Sequence, residues 1–465
     1  MKTVFRRWLV AGLVLGISSL AAVVNSQAQT DKRPRLVWQP LESFKTLTPE
    51  MDYSGNEVLA IYNIEGNAKN AKSLFDNKKL AQLAKKANVT LVNSIPIPAR
   101  ASDPNGTNSQ VCGKILLKFR LNQGNVSDTI AVLDQQGISI FGSDAPYGVA
   151  PQGLGLPSQT DSKDTGNFWG LQAVQAPEKS NQGKGVRVAV LDTGVTRIRA
   201  LNMIPGANFV YPESPTPSTN DDFALVPEGH GTGVAGIIGG SSANGLPVGV
   251  APSSSISPVK VCRADGHCTD ASVVMGVCFA LSKSVQAKVL NVSLGSFINS
   301  PILEGAIRDA NLEKALVVAS AGNTREFDPS DYRFNLPVFP AAFSNDPRVN
   351  LVNLMSIGAI DQNMDYAKFA TGHKSVDMVA PGVDVRTYSR TESAYVNSSG
   401  GTSYAAPYVS GAAALMFSKN PSLFPAQVKQ ILKKTADPSG CNQVLAEDSC
   451  GSGLLNVAAA VTATP

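Results

Sequence analysis

Histidine is scarce in this 465-residue chain: there are three, His230, His267 and His373. Any general base is therefore chosen from a short set. The metalloprotease pattern His-Glu-x-x-His is absent, and so is the Gly-x-Ser-x-Gly elbow of α/β-hydrolases. Charge is sparse as well. At 16% Asp, Glu, Lys and Arg, with small residues plentiful, the chain is a compact α/β protein and neither disordered nor coiled-coil. Net charge is +4, but Lys2, Arg6 and Arg7 supply three of those charges. No segment is basic enough for nucleic acid. Beyond the N-terminus no apolar run is long enough to span a membrane.

What is present begins with a basic start, an apolar run from Trp8 to Val24 and a small-x-small end at Ser26-Gln27-Ala28. That pattern predicts a secretory signal over 1–28 and a secreted or periplasmic protein, free of the membrane once the signal is removed. Six cysteines in an exported chain suggest disulfides, and six allow fifteen pairings. Short loops favour Cys262–Cys268 and Cys441–Cys450. Cys278 lies in an apolar helical run and is expected to be a buried free thiol. A metal site at Cys262, His267 and Cys268 is disfavoured, because adjacent ligands are poor zinc spacing.

The N-terminal part predicts a strand at 58–62, an amphipathic helix at 74–87 and a β-α-β unit over 115–141, a small α+β domain. Residues 144–166, rich in Gly, Pro, Ser and Asp, read as an exposed linker. After Trp169 the texture changes. Short apolar runs at 186–191, 287–294, 315–321 and 351–360 alternate with helical runs at 269–284, 301–314, 402–418 and 424–436. This predicts a three-layer, doubly wound, mostly parallel sheet. Function in such sheets sits at the carboxyl ends of the strands. Asp192 and Asn323 both follow strand-like runs.

Ser403 stands in Gly400-Gly401-Thr402-Ser403-Tyr404-Ala405-Ala406-Pro407, just ahead of an apolar run from Tyr408 to Phe417. At a first helical turn, backbone N–H groups and the helix dipole favour developing negative charge. Pro407 is tolerable only near a helix start. His230 heads a run of glycines and small residues, whereas His267 and His373 lie in polar loops. Acid, histidine and serine then occur in the order Asp192, His230, Ser403.

The chain from about Trp169 to Val461 resembles the subtilisin-like serine peptidases. The matching pieces are Val188–Gly194, His230-Gly231-Thr232 with Val234-Ala235-Gly236, Asn291–Gly295, Ala319–Asn323, Val379–Gly382, and Gly401-Thr402-Ser403 with Ala405-Ala406-Pro407. The resemblance implies Ser403 as nucleophile, His230 as proton carrier, Asp192 as its orienter and Asn323 as the oxyanion donor. It implies that Ser293, Leu294 and Gly295, with Gly322, bind substrate, and that 337–343 helps wall the pocket. Tyr404 stands where many relatives carry an oxidisable methionine.

The resemblance also implies an inhibitory propeptide at 29–150, self-cleavage in a linker at 151–168 and a peptidase domain at 169–465. Cys112 would leave with the propeptide. The chemistry requires no cofactor. Calcium is common among relatives, but no loop here is acidic enough to assign a site. The expected partners are polypeptide substrates and the chain's own propeptide, around a monomer. A processing enzyme with one physiological substrate ranks second, since the acidic signature of kexin-like relatives is not evident. A silent binding scaffold ranks last, since all four key side chains are present.

Overall fold

The computed structural model describes residues 57–62, 84–122, 138–143, 146–148, 168–177, 182–210, 218–221, 229–241, 249–390, 395–398, 400–443 and 449–465, with the single positions Gln82 and Leu133. The expected signal segment and most of both N-terminal helices lie outside the described residues.

Two sheets organise the molecule. The N-terminal one contains β1 (Glu57–Tyr62), β2 (Val89–Pro96), β3 (Ile115–Leu121) and β4 (Ile138–Ser143), in the order β2-β3-β1-β4. Every neighbouring pair is antiparallel. The strands expected at 58–62, 115–120 and 138–141 are all present. β2 was not anticipated, because its polar Asn93 and Ser94 interrupt the apolar alternation.

One expectation fails in the next stretch. Pro146–Gly148, inside the segment read as an exposed linker, is a strand, β5. It pairs antiparallel with β9 (His267–Thr269). A proline and a glycine give no local strand signal; the partner supplies the hydrogen bonds that make it one.

The large sheet has seven strands. They are β6 (Arg187–Asp192), β7 (Ala207–Asn208), β8 (Ser255–Lys260), β10 (Val289–Val292), β11 (Leu316–Ser320), β12 (Leu354–Ile360) and β13 (Met378–Pro381). The order is β13-β12-β11-β10-β6-β8-β7, and the paired strands are parallel. Strand order reverses at β6, which lies between β10 and β8. That is where an open parallel sheet leaves a crevice at its carboxyl end.

Side chains alternate across the sheet. Val188 and Val190 of β6 face one apolar cluster, and Ala189 and Leu191 face the other. The first cluster is covered by α2 (His230–Gly239), α5 (Thr402–Lys419), α6 (Pro425–Thr435) and α7 (Val457–Ala463), with α1 (Trp169–Ala173) at its edge. The second is covered by α3 (Asp270–Leu281) and α4 (Pro301–Leu312). These are the three expected layers. Local chemistry starts the α3/α4 pair: Thr269 caps α3 through the Ser272 N–H at 3.2 Å. Ser300 caps α4, with Pro301 in its first turn.

All six cysteines are paired. Cys262–Cys268 and Cys441–Cys450 form as the short loops suggested. Cys278 is not a free thiol, because it is bonded to Cys112 across 166 residues of sequence. Cys112, expected to leave with a propeptide, is thus joined to a helix of the large sheet's second face. Its helical, apolar setting hides Cys278 but does not forbid a partner arriving from another unit.

Candidate active site

Asp192 closes β6, fully buried. Its Oδ1 lies 2.8 Å from Nδ1 of His230, the first residue of α2. A carboxylate only accepts, so Nδ1 carries a proton toward it, and in the neutral imidazole Nε2 then holds the lone pair. That is the tautomer a general base needs. Thr193 adds its backbone N–H to the same oxygen at 2.7 Å.

The start of α2 is held in an unusual way. Its N-cap residue is Gly229, which has no side chain to cap with. The orphan N–H groups go elsewhere: Gly231 donates to Thr193 Oγ1 at 3.2 Å, and Thr232 to Asp221 Oδ2 at 2.8 Å. The Thr193 hydroxyl sits between the two carboxylates, 3.1 Å from Asp192 Oδ1 and 2.9 Å from Asp221 Oδ1. Buried Lys260, at the end of β8, donates to the Thr193 carbonyl. The imidazole is thus fixed by β6, the 218–221 loop and the neighbouring strand together. Thr193 and Asp221 were not picked out from the sequence. The matching piece Val188–Gly194 contained Thr193, whereas nothing local marks Asp221.

Ser403 is the second residue of α5 and is buried. Its backbone N–H, in the first turn, has no intrahelical acceptor. Gly401, the N-cap, has φ 155°. A Cβ on Gly401 would stand 2.9 Å from Ser403 Oγ and 3.3 Å from Asn323 Nδ2. Hydroxyl and amide therefore flank the same bare α-carbon. Asn323 cannot turn its amide over: Oδ1 accepts from the Thr402 backbone N–H at 3.0 Å and the Thr402 hydroxyl at 2.9 Å. Nδ2 is the end left facing the serine. Thr402 also went unrecognised from the sequence.

Pro407 lies deeper in α5 than expected, at its sixth residue. Lacking an N–H, it leaves the Ser403 carbonyl without its helical donor. The Ser293 hydroxyl fills that place at 2.8 Å. Asn291 Nδ2 donates in turn to Ser293 Oγ, and Ser410 Oγ donates to Asn291 Oδ1. Ser293 is 1% exposed, and its hydroxyl serves the helix start.

Leu294 is buried and Gly295 half-buried. A Cβ on Gly295 or Gly322 would come within 2.2 or 2.5 Å of Val338. Both glycines are therefore required by the chain's own packing. The three stretches expected to wall the substrate pocket do meet, at Val338.

Tyr404 is buried with its ring centroid 5.4 Å from that of His230. Tyr408 is also buried, and a Cβ on Gly170 of α1 would come 2.1 Å from its hydroxyl oxygen. Of the other histidines, His267 is exposed beside Asp265. His373 is half-buried against Ser375, and burial lowers its pKa below the ordinary value.

A sequence description of the subtilase family matches residues 183–453. Subtilisin BL of Lederbergia lenta is 40% identical over 296 residues, 63% of this chain and 97% of its own. An alkaline protease of Shouchella clausii is 40% identical over the same length, 69% of its own. A solved structure described as proteases from Pseudoalteromonas arctica aligns with a TM-score of 0.53 and 26% identity, over 64% of this chain and 94% of that one. The chain belongs to the subtilase family and is a serine endopeptidase.

Proposed function

We propose that the enzyme cleaves polypeptides through an acyl-enzyme on Ser403. His230 Nε2 takes the hydroxyl proton and returns it to the leaving amine. Asp192 holds the imidazole in that tautomer and stabilises its cation. The tetrahedral oxyanion is received by the Asn323 side-chain amide and the Ser403 backbone N–H. The observation that carries this reading is the locked Asn323 amide, which flanks Gly401 together with the Ser403 hydroxyl.

The zymogen reading is supported by β5. An extended segment on β9 occupies an edge at the same end of the large sheet as Asp192: Val261 and Cys262, leading into β9, both donate to the Asp192 carbonyl. A substrate backbone would add to β9 as β5 does. The N-terminal unit would thus inhibit by filling the substrate's place, and self-cleavage would follow β5, in the residues after Gly148. The backbone of 294–295 offers the opposite wall. Export is supported by the N-terminal apolar run and by three disulfides.

Ser403→Ala tests both parts. Turnover of a peptide substrate should fall by about 10⁶-fold, the scale known for subtilisin itself when it loses its serine. By intact mass under reducing conditions the variant should stay joined through residue 148, while wild type separates there. Equal trimming of both proteins would assign maturation to another protease. Retained turnover would remove Ser403 from the chemistry.

A further inference from the structure

The N-terminal sheet is bound to the α3/α4 face by more than apolar contact. Cys112, in the loop before β3, is disulfide-bonded to Cys278 of α3, and both residues are 0% exposed. Beside that bond, Asp309 of α4 is buried and accepts three consecutive backbone N–H groups. They are Gln110 at 2.7 Å, Val111 at 2.8 Å and Cys112 at 2.9 Å. Arg100 donates to Glu313, just past α4, at 3.0 Å. Val111 packs on Gly305 of α4, where a Cβ would come within 2.8 Å of it. Leu59, Ile61, Ile97 and Leu116 share one core with Val273 and Ile302.

Peptide hydrolysis after β5 breaks an amide bond and adds one water. It leaves the Cys112–Cys278 bond untouched. We infer that the N-terminal unit is not released on maturation but stays as a covalently held light chain on the α3/α4 face. The substrate edge is opened by withdrawal of β5 alone from β9. The inference rests on the processing reading above, since an uncut chain has nothing to release.

Two physical points support retention. A tethered unit faces its site at an effective concentration in about the millimolar range, so dilution cannot carry it away. Reduction would require a thiolate to reach a sulfur inside the shared core, and thiol–disulfide exchange depends on that access. Loss of the inhibitory contact must then come from the short, newly free end that carries β5. That end carries the pairing of β5 with β9, which is the contact that must be given up.

The test separates the inference from the processing reading. A recognition site for an unrelated protease is placed within 151–168 of the Ser403→Ala protein, which is cut and then denatured with and without a dithiol reductant. The expected result is one species without reductant and two with it. Separation of the two fragments in denaturant alone overturns the inference. This arm requires no self-cleavage.

In secreted wild type, non-reducing intact mass should equal both fragments together. The catalytic fragment alone, or carrying only a short peptide around Cys112, also overturns the inference. A single uncut polypeptide overturns the processing reading instead, and the first arm then decides the tether. In the Cys112→Ser, Cys278→Ser double variant of the cut protein, the light chain should be lost on dilution through gel filtration. Its loss from the parent under the same native conditions would count against the tether.

Discussion

The two faces of the large sheet are both apolar, yet they do different work. On the α2/α5 face, helix starts carry His230 and Ser403 to the ends of the strands. On the α3/α4 face no proposed catalytic side chain appears. There Asp309 is buried at a helix surface, and its donors come from a loop 197–199 residues upstream. Burial pushes its carboxyl above the usual range, with the Cys112, Gln110 and Val111 N–H groups and Arg100 acting against that shift. A carboxylate in such a place is costly unless donors arrive. The first face is complete within the peptidase unit, whereas the second is a socket shaped for another piece of chain.

Apart from the proposed roles of Asp192, His230 and Ser403, the largest effect should come from the first face. Asn323→Ala should lower kcat by about 10²–10³, as in subtilisin, where this loss was measured, with KM little changed. Steady-state kinetics check it, and a change confined to KM would make Asn323 a binding group. On the second face, Asp309→Ala should reduce the stability of the chain by about 3 kcal/mol, since it strands three N–H groups and part of the charge balance of Arg100. Peptide turnover should not change. An unshifted denaturation midpoint would show that the socket is not used.

A smaller effect lies between site and scaffold. Ser293→Ala leaves the buried Ser403 carbonyl without a donor and should cost about 1–3 kcal/mol of stability. Pro407→Ala in the same chain returns a helical N–H and should recover most of that loss. Thermal melts of the single and double variants decide it, and additive losses would sink the pairing. The smallest effect is chemical: Tyr404→Met should leave fresh activity near wild type but make it decay faster in mild peroxide. Equal decay of the two proteins would show that position 404 does not govern oxidation.

Much of the peptidase unit was legible in the text, because its signals are local. One apolar strand ends in Asp192, another runs out three residues before Asn323, and a small-residue helix start carries Ser403. Those features gave the three layers and the proposed catalytic residues. The supporting groups were not legible. Asp221 reaches Thr193 and Thr232 from a polar loop with no pattern of its own. Nothing local marks Ser293 as the donor for the carbonyl that Pro407 leaves without its helical N–H. β5 is three residues long, with Tyr147 between a proline and a glycine, and exists through β9.

The sequence by itself determined the family, the order Asp192, His230, Ser403 and the two short disulfides, since each is written in neighbouring residues. Only the tertiary structure decided that Cys112 meets Cys278, that Asp309 receives the 110–112 loop and that β5 lies on an edge beside the site. Those contacts join residues far apart in the chain. Their partners are chosen by packing and by the need to satisfy buried polar groups, and no local pattern records that choice.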